Sequence, residues 1–270
     1  GIVKSIEFIY ELLLKDYRLR NDCDILNLVS MDNLEDNSLS FISDRDINNY
    51  KNKITNENLI VVNIQLKETL QTWDQGNFIF SFQPQLTFIK MAEYFLKHTT
   101  LKEIKTIGKN FKVGENCVIK NCIIGNNVTI HSGTIIGESG FGYIKDGNEI
   151  INFPHIGNVI IEDNVEIHSN TCIDRGSLSN TIIKKGAKVD NLVHIAHNVE
   201  IGENTYIIAQ SMIGGSSKIG NNCWISPGVK IIDRINIANN TTIGLGAIVI
   251  KSILNEGETW VGNPARKIKG

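Results

Sequence analysis

A strict six-residue repeat of aliphatic residues dominates the second half of the sequence. Between residues 183 and 249 every sixth residue is Ile or Val, and the residue four places after each is small or β-branched. Neither an α-helix nor an ordinary strand has a physical reason to keep an aliphatic residue at a spacing of six. Such a period is typical of β-helices, in which short strands coil and stack. The repeat therefore predicts stacked coils whose interior is filled by these aliphatic residues.

The repeat does not cover the whole chain. It begins near Ile107 and is interrupted twice, by residues 138–155 and by four extra residues after Ile173. Insertions into a repeat form loops on one face, often the face that binds ligands. The first part of the chain lacks the repeat and mixes helical with strand patterns. We therefore predict a small α+β domain over residues 1–100 and a mainly β, β-helical domain over residues 101–270.

Local patterns give the expected elements of both domains. In the first domain, hydrophobic periodicity predicts helices over residues 2–14 and 86–98. Runs of β-branched and aromatic residues predict strands over residues 24–30, 39–43, 59–65 and 77–82. In the second domain, Gly and Asn near the bends are expected to adopt a positive φ. These residues are Gly202, Asn204, Gly214, Gly220, Asn222 and Gly244.

Composition narrows the classes of function. The net charge is −2, from 27 basic and 29 acidic residues, which predicts no nucleic-acid partner. The sequence has no apolar run of membrane-spanning length and no signal-peptide pattern, so we expect no membrane span and a cytoplasmic location. The five cysteines are odd in number and lack zinc-type spacing, which predicts reduced thiols. Without a His-x4-His pair, no metal site is expected.

His197 is the leading candidate for a catalytic residue. It lies two places after the aliphatic Ile195, and Gly215 follows 18 residues later. If one coil takes 18 residues, the two stack, and the backbone N–H of Gly215 lies beside a general base. Asp190, seven residues before the histidine, could orient the imidazole as in acid–base triads. This pattern indicates acyl transfer; a solvated surface histidine beside a bend is the alternative.

Five short motifs in and after the first interruption are distinctive. They are Phe141-Gly142-Tyr143, Pro154-His155-Ile156-Gly157, Ile173-Asp174-Arg175-Gly176, Asp190-Asn191 and Ile195-Ala196-His197-Asn198-Val199. Together they resemble the UDP-3-O-acylglucosamine N-acyltransferases of lipid A synthesis, and the likeness covers most of the chain. It implies a left-handed parallel β-helix and a homotrimer with active sites in clefts between coils. It also implies His197 as general base, Asp190 as its partner and the Gly215 amide as oxyanion donor.

The resemblance also implies substrate-binding residues, with one departure. In that family the first domain helps to hold the nucleotide, with an aromatic residue at the position of Phe41 against the base. This chain has Asp44 and Ile47 where the family has Asn and Tyr, so nucleotide recognition is predicted to differ, with Tyr50 as a substitute. Two aromatic residues of the first interruption are expected to line the acyl or sugar pocket, or else to anchor the loop. The predicted substrate-binding residues are Phe41, Tyr50, Phe141, Tyr143 and Asn198.

The last coils depart from the family in another way. Arg234 stands where the family has a second histidine, and a long helical extension that helps to engage acyl carrier protein is missing. The ending Val261-Gly262-Asn263-Pro264-Ala265-Arg266 instead resembles the CoA-using, short-chain sugar acetyltransferases. That likeness implies cofactor contacts from Ala247, Lys251 and Arg266, whose cations would meet phosphates. An ordinary basic surface is the alternative.

The combination resembles the N-acyltransferases that modify amino-deoxy sugars on nucleotide carriers for surface polysaccharide. That resemblance implies an N-acyltransferase that uses acyl-CoA as co-substrate, with no metal expected. The implied acceptor is the amine of a nucleotide-linked amino-deoxyhexose, with dTDP favoured as carrier. The alternative is UDP-3-O-acylglucosamine N-acyltransferase itself, with acyl carrier protein as donor. A second alternative is a non-catalytic β-helix scaffold, in which the placement of His197 is accidental.

Overall fold

The protein divides into two compact units. The computed structural model describes residues 3–4, 7–9, 16–43 and 45–270. One unit comprises the described residues of Gly1–Lys102 together with Gly142–Pro154, and the other comprises Glu103–Phe141 and His155–Gly270. Among the described residues, no helix is both long and apolar enough to cross a membrane.

The first unit is built on a five-stranded mixed sheet. In spatial order its strands are Tyr17–Arg18, Asn77–Ser81, Asn58–Asn63, Ser38–Phe41 and Asn27–Leu28. The first pair is antiparallel and the others are parallel. From residue 16 onward its helices are the α-helices Lys67–Gln71 and Pro84–His98 and the 3₁₀ turns Met31–Asn33, Ile47–Tyr50 and Ile64–Leu66.

The helix predicted over residues 86–98 is present and begins two residues earlier, at Pro84. A proline is suited to the first helical position, because its missing N–H would lack an intrahelical partner there in any case. The helix predicted over residues 2–14 is wrong at its start, since Val3–Lys4 is a strand paired with Asp24–Ile25. Residues 7–9 are helical, and the rest of that prediction lies outside the described residues, as does Asp44.

The second unit is a parallel β-helix with three faces, each a sheet of stacked short strands. Face 1 consists of Lys105–Ile107, Cys122–Ile124, Val159–Ile161, Thr181–Ile183, Glu200–Ile201, Lys218–Ile219 and Asn236–Ile237. Face 2 consists of Lys112–Val113, Thr129–Ile130, Glu166–Ile167, Lys188–Val189, Tyr206–Ile207, Trp224–Ile225, Thr242–Ile243 and Thr259–Val261, with Arg266–Lys269 antiparallel at its end. Face 3 consists of Val118–Ile119, Ile135–Ile136, Cys172–Ile173, His194–Ile195, Met212–Ile213, Lys230–Ile231 and Ile248–Val249.

The predicted interior is confirmed. Each aliphatic residue of the six-residue series from Ile183 to Val249 has at most 3% of its surface exposed. Successive coils pair in register at a spacing of 18 residues, as Ile201 does with Ile219. Each coil therefore contributes one buried aliphatic side chain per face, and the apolar area removed from water drives the stacking.

The corners of the β-helix use Asn and Gly for different reasons. A residue in the left-handed region follows each strand of face 1, a conformation that Asn and Gly tolerate best. In the later coils these residues are Gly186, Asn204, Asn222 and Asn240, with φ of 74°, 54°, 55° and 58°. The prediction of a positive φ is wrong for the four glycines of the sequence analysis, which are Gly202, Gly214, Gly220 and Gly244. A Cβ on Gly202 would instead collide with the carbonyl oxygen of Gly220, so close approach of the next coil requires glycine there.

The first interruption of the repeat contains a β-hairpin. Its strands Tyr143–Asp146 and Glu149–Asn152 pair antiparallel. This hairpin belongs to the first unit, where Asp146 forms a salt bridge with Lys90. The six-residue repeat cannot predict this hairpin, because the hairpin strands pair with each other and not with the stacked coils.

We expect Ile231→Ala to destabilise the protein by about 2–5 kcal/mol, because it deletes a fully buried side chain and leaves a cavity between coils. The free energy of unfolding in urea measures the loss. Ile268→Ala is the matched control, since Ile268 is 64% exposed, and it should cost under about 0.5 kcal/mol. Equal losses for the two variants would contradict a tightly packed interior.

Candidate active site

His197 lies at the corner between face 3 and face 1, two residues after the strand His194–Ile195. Two glycines enclose its imidazole. A Cβ built on Gly140 would lie 3.1 Å from Cδ2 of the ring, and a Cβ built on Gly215 would lie 2.8 Å from Nε2. Gly215 thus lies beside His197, one coil further on, and the ring fits because both neighbours lack side chains.

Hydrogen bonding fixes the tautomer of His197. The side-chain Oδ1 of Asn198 accepts the backbone N–H of Ser177 at 3.1 Å and its hydroxyl at 2.8 Å, and it lies 3.1 Å from Nδ1 of His197. An amide atom that accepts a backbone N–H must be the oxygen, so Nδ1 must carry the hydrogen. In the neutral imidazole the lone pair then lies on Nε2, the atom that faces Gly215. The structure thus gives Asn198 a positioning task, and its predicted contact with substrate stays a prediction.

Two residues that the sequence analysis did not place in the site lie close to His197. The buried His155 meets its ring edge-on, with 5.3 Å between ring centroids. Asp174 lies with its carboxylate 3.8 Å from Nε2 of His194. Burial raises the pKa of Asp174, and positive charge on His194 and His197 acts in the opposite direction. A partly desolvated carboxylate therefore lies close to the two imidazoles of this corner.

The predicted pairing of Asp190 with His197 is wrong within one chain. The Asp190 carboxylate accepts the backbone N–H groups of Asn191 at 2.8 Å and Ala209 at 3.1 Å. It follows the strand Lys188–Val189 of face 2, whereas His197 follows a strand of face 3. The physical reason is the period of the coil. Six residues advance the chain by one face, so residues seven apart lie at different corners.

The first unit holds two of the predicted substrate residues in different settings. Phe41 is half-buried and packs against Phe88, with ring centroids 4.8 Å apart, and lies 6.1 Å from Phe153 of the hairpin. Tyr50 is buried, and its hydroxyl contacts Asp32 at 3.1 Å and Arg45 at 2.8 Å. A role for Tyr50 against a nucleotide base is therefore wrong, because its ring is part of the core of this unit.

The aromatic residues of the first interruption belong to different units. Phe141 is 87% exposed and closes the segment of the second unit that precedes the hairpin. Tyr143 is 51% exposed and opens the first hairpin strand in the first unit. Their role in a substrate pocket stays a prediction.

The predicted cofactor residues lie in the last coils of the β-helix. Ala247 is buried, and its N–H already donates to the carbonyl of Gly244 at 3.2 Å, so it is a poor donor for pantetheine. The Lys251 ammonium lies 5.2 Å from the centroid of Trp260, and the exposed Arg266 donates to the carbonyl of Ala265. Both cations remain accessible to an anionic ligand. Away from this region, one group in the described part of the chain has the donor set of a metal site: His131, Glu166 and His168.

The register of the coils would have placed Asp174 near His197 from the sequence alone. Asp174 pairs in the next coil with the residue that precedes His197, through the register of Ile173 with Ile195. That spacing is one 18-residue coil plus the four extra residues noted in the sequence. No such signal exists for Gly140 or His155, because they flank the inserted hairpin and its path is not periodic.

Comparison with known proteins places this geometry in a family. The family model for bacterial transferase hexapeptide (six repeats) matches residues 180–215. A UDP-3-O-acylglucosamine N-acyltransferase of Helicobacter pylori (strain HPAG1) is 30% identical over 244 residues, which cover 75% of this chain and 72% of that protein. This chain belongs to the UDP-3-O-acylglucosamine N-acyltransferase family. UDP-3-O-acylglucosamine N-acyltransferase 2 of Legionella pneumophila (strain Philadelphia 1) is 45% identical over 100 residues, which span 37% of this chain and only 29% of that protein.

Solved structures support the fold alone. A UDP-N-acetylglucosamine acyltransferase of Bacteroides fragilis aligns with a TM-score of 0.52 at 23% identity, over 60% of this chain and 69% of its own. The predicted left-handed parallel β-helix of hexapeptide repeats is confirmed.

The family membership corrects the predicted acceptor. A nucleotide-linked amino-deoxyhexose with dTDP as carrier was the favoured expectation, and it is wrong, because the matching relatives are named for UDP-3-O-acylglucosamine. The expectation rested on a short C-terminal motif and on changed residues after Phe41. These few positions weigh less than the similarity over 244 residues.

We expect the neutral form of His197 to carry its hydrogen on Nδ1, as long as Asn198 is present. Asn198→Gly removes the acceptor but keeps a residue suited to the local φ of 61°, so the ring should shift toward the Nε2–H tautomer. Imidazole ¹⁵N chemical shifts distinguish the two forms. Asn222→Gly, with φ of 55° at another corner, should leave the His197 signals unchanged. Unchanged signals in Asn198→Gly would refute the assigned role.

Proposed function

We propose that this protein transfers an acyl group from a thioester to the amine of UDP-3-O-acylglucosamine. The observation that carries the proposal is the position of His197 Nε2, the ring nitrogen that does not contact Asn198, directly against Gly215. Membership of the family supports the acceptor, since its relatives are named for that substrate. A general base beside a bare backbone amide is the arrangement that acyl transfer requires.

The proposed reaction uses His197 as both base and acid. The acceptor amine binds uncharged, and its nitrogen attacks the thioester carbonyl carbon while Nε2 takes one of its protons. A C–N bond forms, and the carbonyl oxygen becomes an oxyanion. When the intermediate collapses, the C–S bond breaks, and the imidazolium returns its proton to the leaving thiolate. The products are an amide and a free thiol, and the enzyme is unchanged.

Neighbouring groups support each stage of this reaction. Asn198 keeps the Nδ1 hydrogen in place, so that Nε2 is free to accept a proton. The nearby Asp174 carboxylate would stabilise the imidazolium. The Gly215 carbonyl accepts the N–H of Arg234. The backbone N–H of Gly215 donates to no acceptor in the described part of the chain, which leaves this N–H available to an oxyanion.

The acceptor and the donor draw on other predicted residues. We infer that Phe41 stacks on the uracil base, because it is the aromatic residue of the first unit that the resemblance implies and is half-buried in an aromatic cluster. The acyl donor is proposed to be acyl carrier protein, as the resemblance implies. Its phosphopantetheine phosphate would meet Lys251 or Arg266. The same cations would suit CoA, so the donor is decided by assay.

We expect His197→Ala to lower kcat at least about a hundredfold, because it removes the general base. Gly215→Ala should lower it by roughly tenfold to a hundredfold, since the new Cβ lies 2.8 Å from Nε2 and displaces the ring. The measurement is amide formation from UDP-3-O-acylglucosamine with acyl carrier protein thioester or with acyl-CoA, in separate reactions. His98→Ala, at the end of a helix in the first unit, is the control and should match the parent protein.

Turnover with acyl carrier protein alone would support the proposed donor, and turnover with acyl-CoA would replace it. If no protein forms product with either donor, the proposed enzyme activity is refuted and the β-helix is a scaffold. A fully active His197→Ala variant would refute the mechanism while keeping the activity.

We also propose that the protein is a homotrimer in which Asp190 of one copy helps to orient the imidazole of His197 of the next. The support is that Asp190 lies at a different corner from His197 in its own chain. Co-expressed His197→Ala and Asp190→Ala chains should then regain activity, since mixed trimers contain sites with both wild-type residues. Mixing chains that each carry both substitutions is the control. Absence of recovery, with a mixed trimer shown by mass spectrometry, would contradict the shared site.

A further inference from the structure

We propose that His131, Glu166 and His168 form a binding site for a divalent transition-metal ion, with Zn²⁺ as the best match. Nε2 of His131 lies 2.8 Å from Oε1 of Glu166, and Nε2 of His168 lies 3.6 Å from the same oxygen. Three potential ligand atoms, one from each residue, all lie within 4.8 Å of one another. Two imidazoles and one carboxylate are a common ligand set for zinc.

The β-helix itself brings these residues together. His131 follows the face 2 strand Thr129–Ile130, and His168 follows the next strand of that face, Glu166–Ile167. Their rings stack, with centroids 4.4 Å apart and planes 21° from parallel. The two histidines are separated by 37 residues, because the inserted hairpin lengthens the coil between them. A search for short His-x-His spacings therefore cannot find the site.

The observed distances fit an ion after small movements. Ligand bonds of about 2.0–2.2 Å at tetrahedral angles place pairs of ligand atoms about 3.3–3.5 Å apart. The two histidine–carboxylate distances, 2.8 and 3.6 Å, lie on either side of that value. An ion would thus replace the direct contact between His131 and the carboxylate, and the two stacked imidazoles would turn so that their nitrogens converge on it.

The backbone of the site is already fixed. The His131 N–H donates to the carbonyl of Ile167 and the His168 N–H to that of Val189, each at 2.8 Å. The His168 carbonyl accepts the hydroxyl of Thr134, also at 2.8 Å. Little backbone conformational entropy would be lost on binding, because the backbone of the site is held before the ion arrives.

The site is open on the outer side of the single chain. There the side chains of the three ligands are 35–39% exposed, so an ion can enter and water can complete its coordination. The neighbouring cation, Lys188, directs its ammonium to the carbonyl of Asn164 at 2.8 Å. A bound ion would link two successive coils on either side of the inserted hairpin. It would stabilise the β-helix there.

Metal binding to tag-free protein tests the site directly. We expect Co²⁺ to give the visible absorption bands of a four-coordinate ion, Zn²⁺ to displace it, and calorimetry to find one such site per chain. Zn²⁺ at a hundredfold excess over its Kd should raise Tm by roughly 5–10 °C. His131→Gln, His168→Gln and Glu166→Gln should each weaken binding at least tenfold.

His98→Gln is the matched control, since it removes an exposed histidine in the first unit and should leave binding unchanged. Circular dichroism without metal identifies any variant that fails to fold, and the two other substitutions then decide the outcome. Co²⁺ spectra and affinities that are the same in all three variants as in the parent protein would overturn the proposal. So would the absence of any ion bound at micromolar concentration.

Discussion

The structure of the second unit depends on the stacking of one coil on the next. Each coil places one aliphatic residue per face in the interior, and its strands pair in register with the coils on either side. A short strand on its own could not bury its apolar side or satisfy its backbone, so the coils stabilise one another. A consequence is that outward-facing residues form columns, in which neighbours are about one coil apart in sequence. Chemistry on this surface is therefore built from residues that are distant in sequence.

Residues that interrupt the repeat gather around His197. Gly140 and His155 flank the inserted hairpin, and Ser177 lies in the four-residue excess of a neighbouring coil. Regular coils leave no room for such contacts, because their corners are occupied by close backbone approaches. An interruption releases the chain from that constraint and lets it fold over the corner. The candidate active site thus lies where the six-residue repeat is interrupted. An insertion there forms a loop outside the stacked coils and contributes side chains that do not follow the repeat.

The same columns concentrate ionisable groups in two places. One contains Asp174 beside His194, at the corner used by His197, where burial raises the pKa of the carboxyl group. The other contains His131 and His168 around Glu166, whose pKa is lowered chiefly by its hydrogen bond from His131. The first pair is partly desolvated and suited to the transient charge of a reaction. The second is more open and suited to a bound cation.

The architecture of the second unit could be predicted from its residues alone, because a six-residue aliphatic period is typical of a β-helix and each Ile and Val of the series is buried. The sequence also identified His197 and Gly215, since both lie on regular coils at a spacing of one turn. The groups that surround the imidazole are known only from the folded chain. Asp190 lies at another corner because seven residues exceed one face of the coil, and Tyr50 is buried because its ring packs within the first unit. Asn198 and the histidine pair on face 2 take their roles from contacts across coils, which local sequence patterns do not encode.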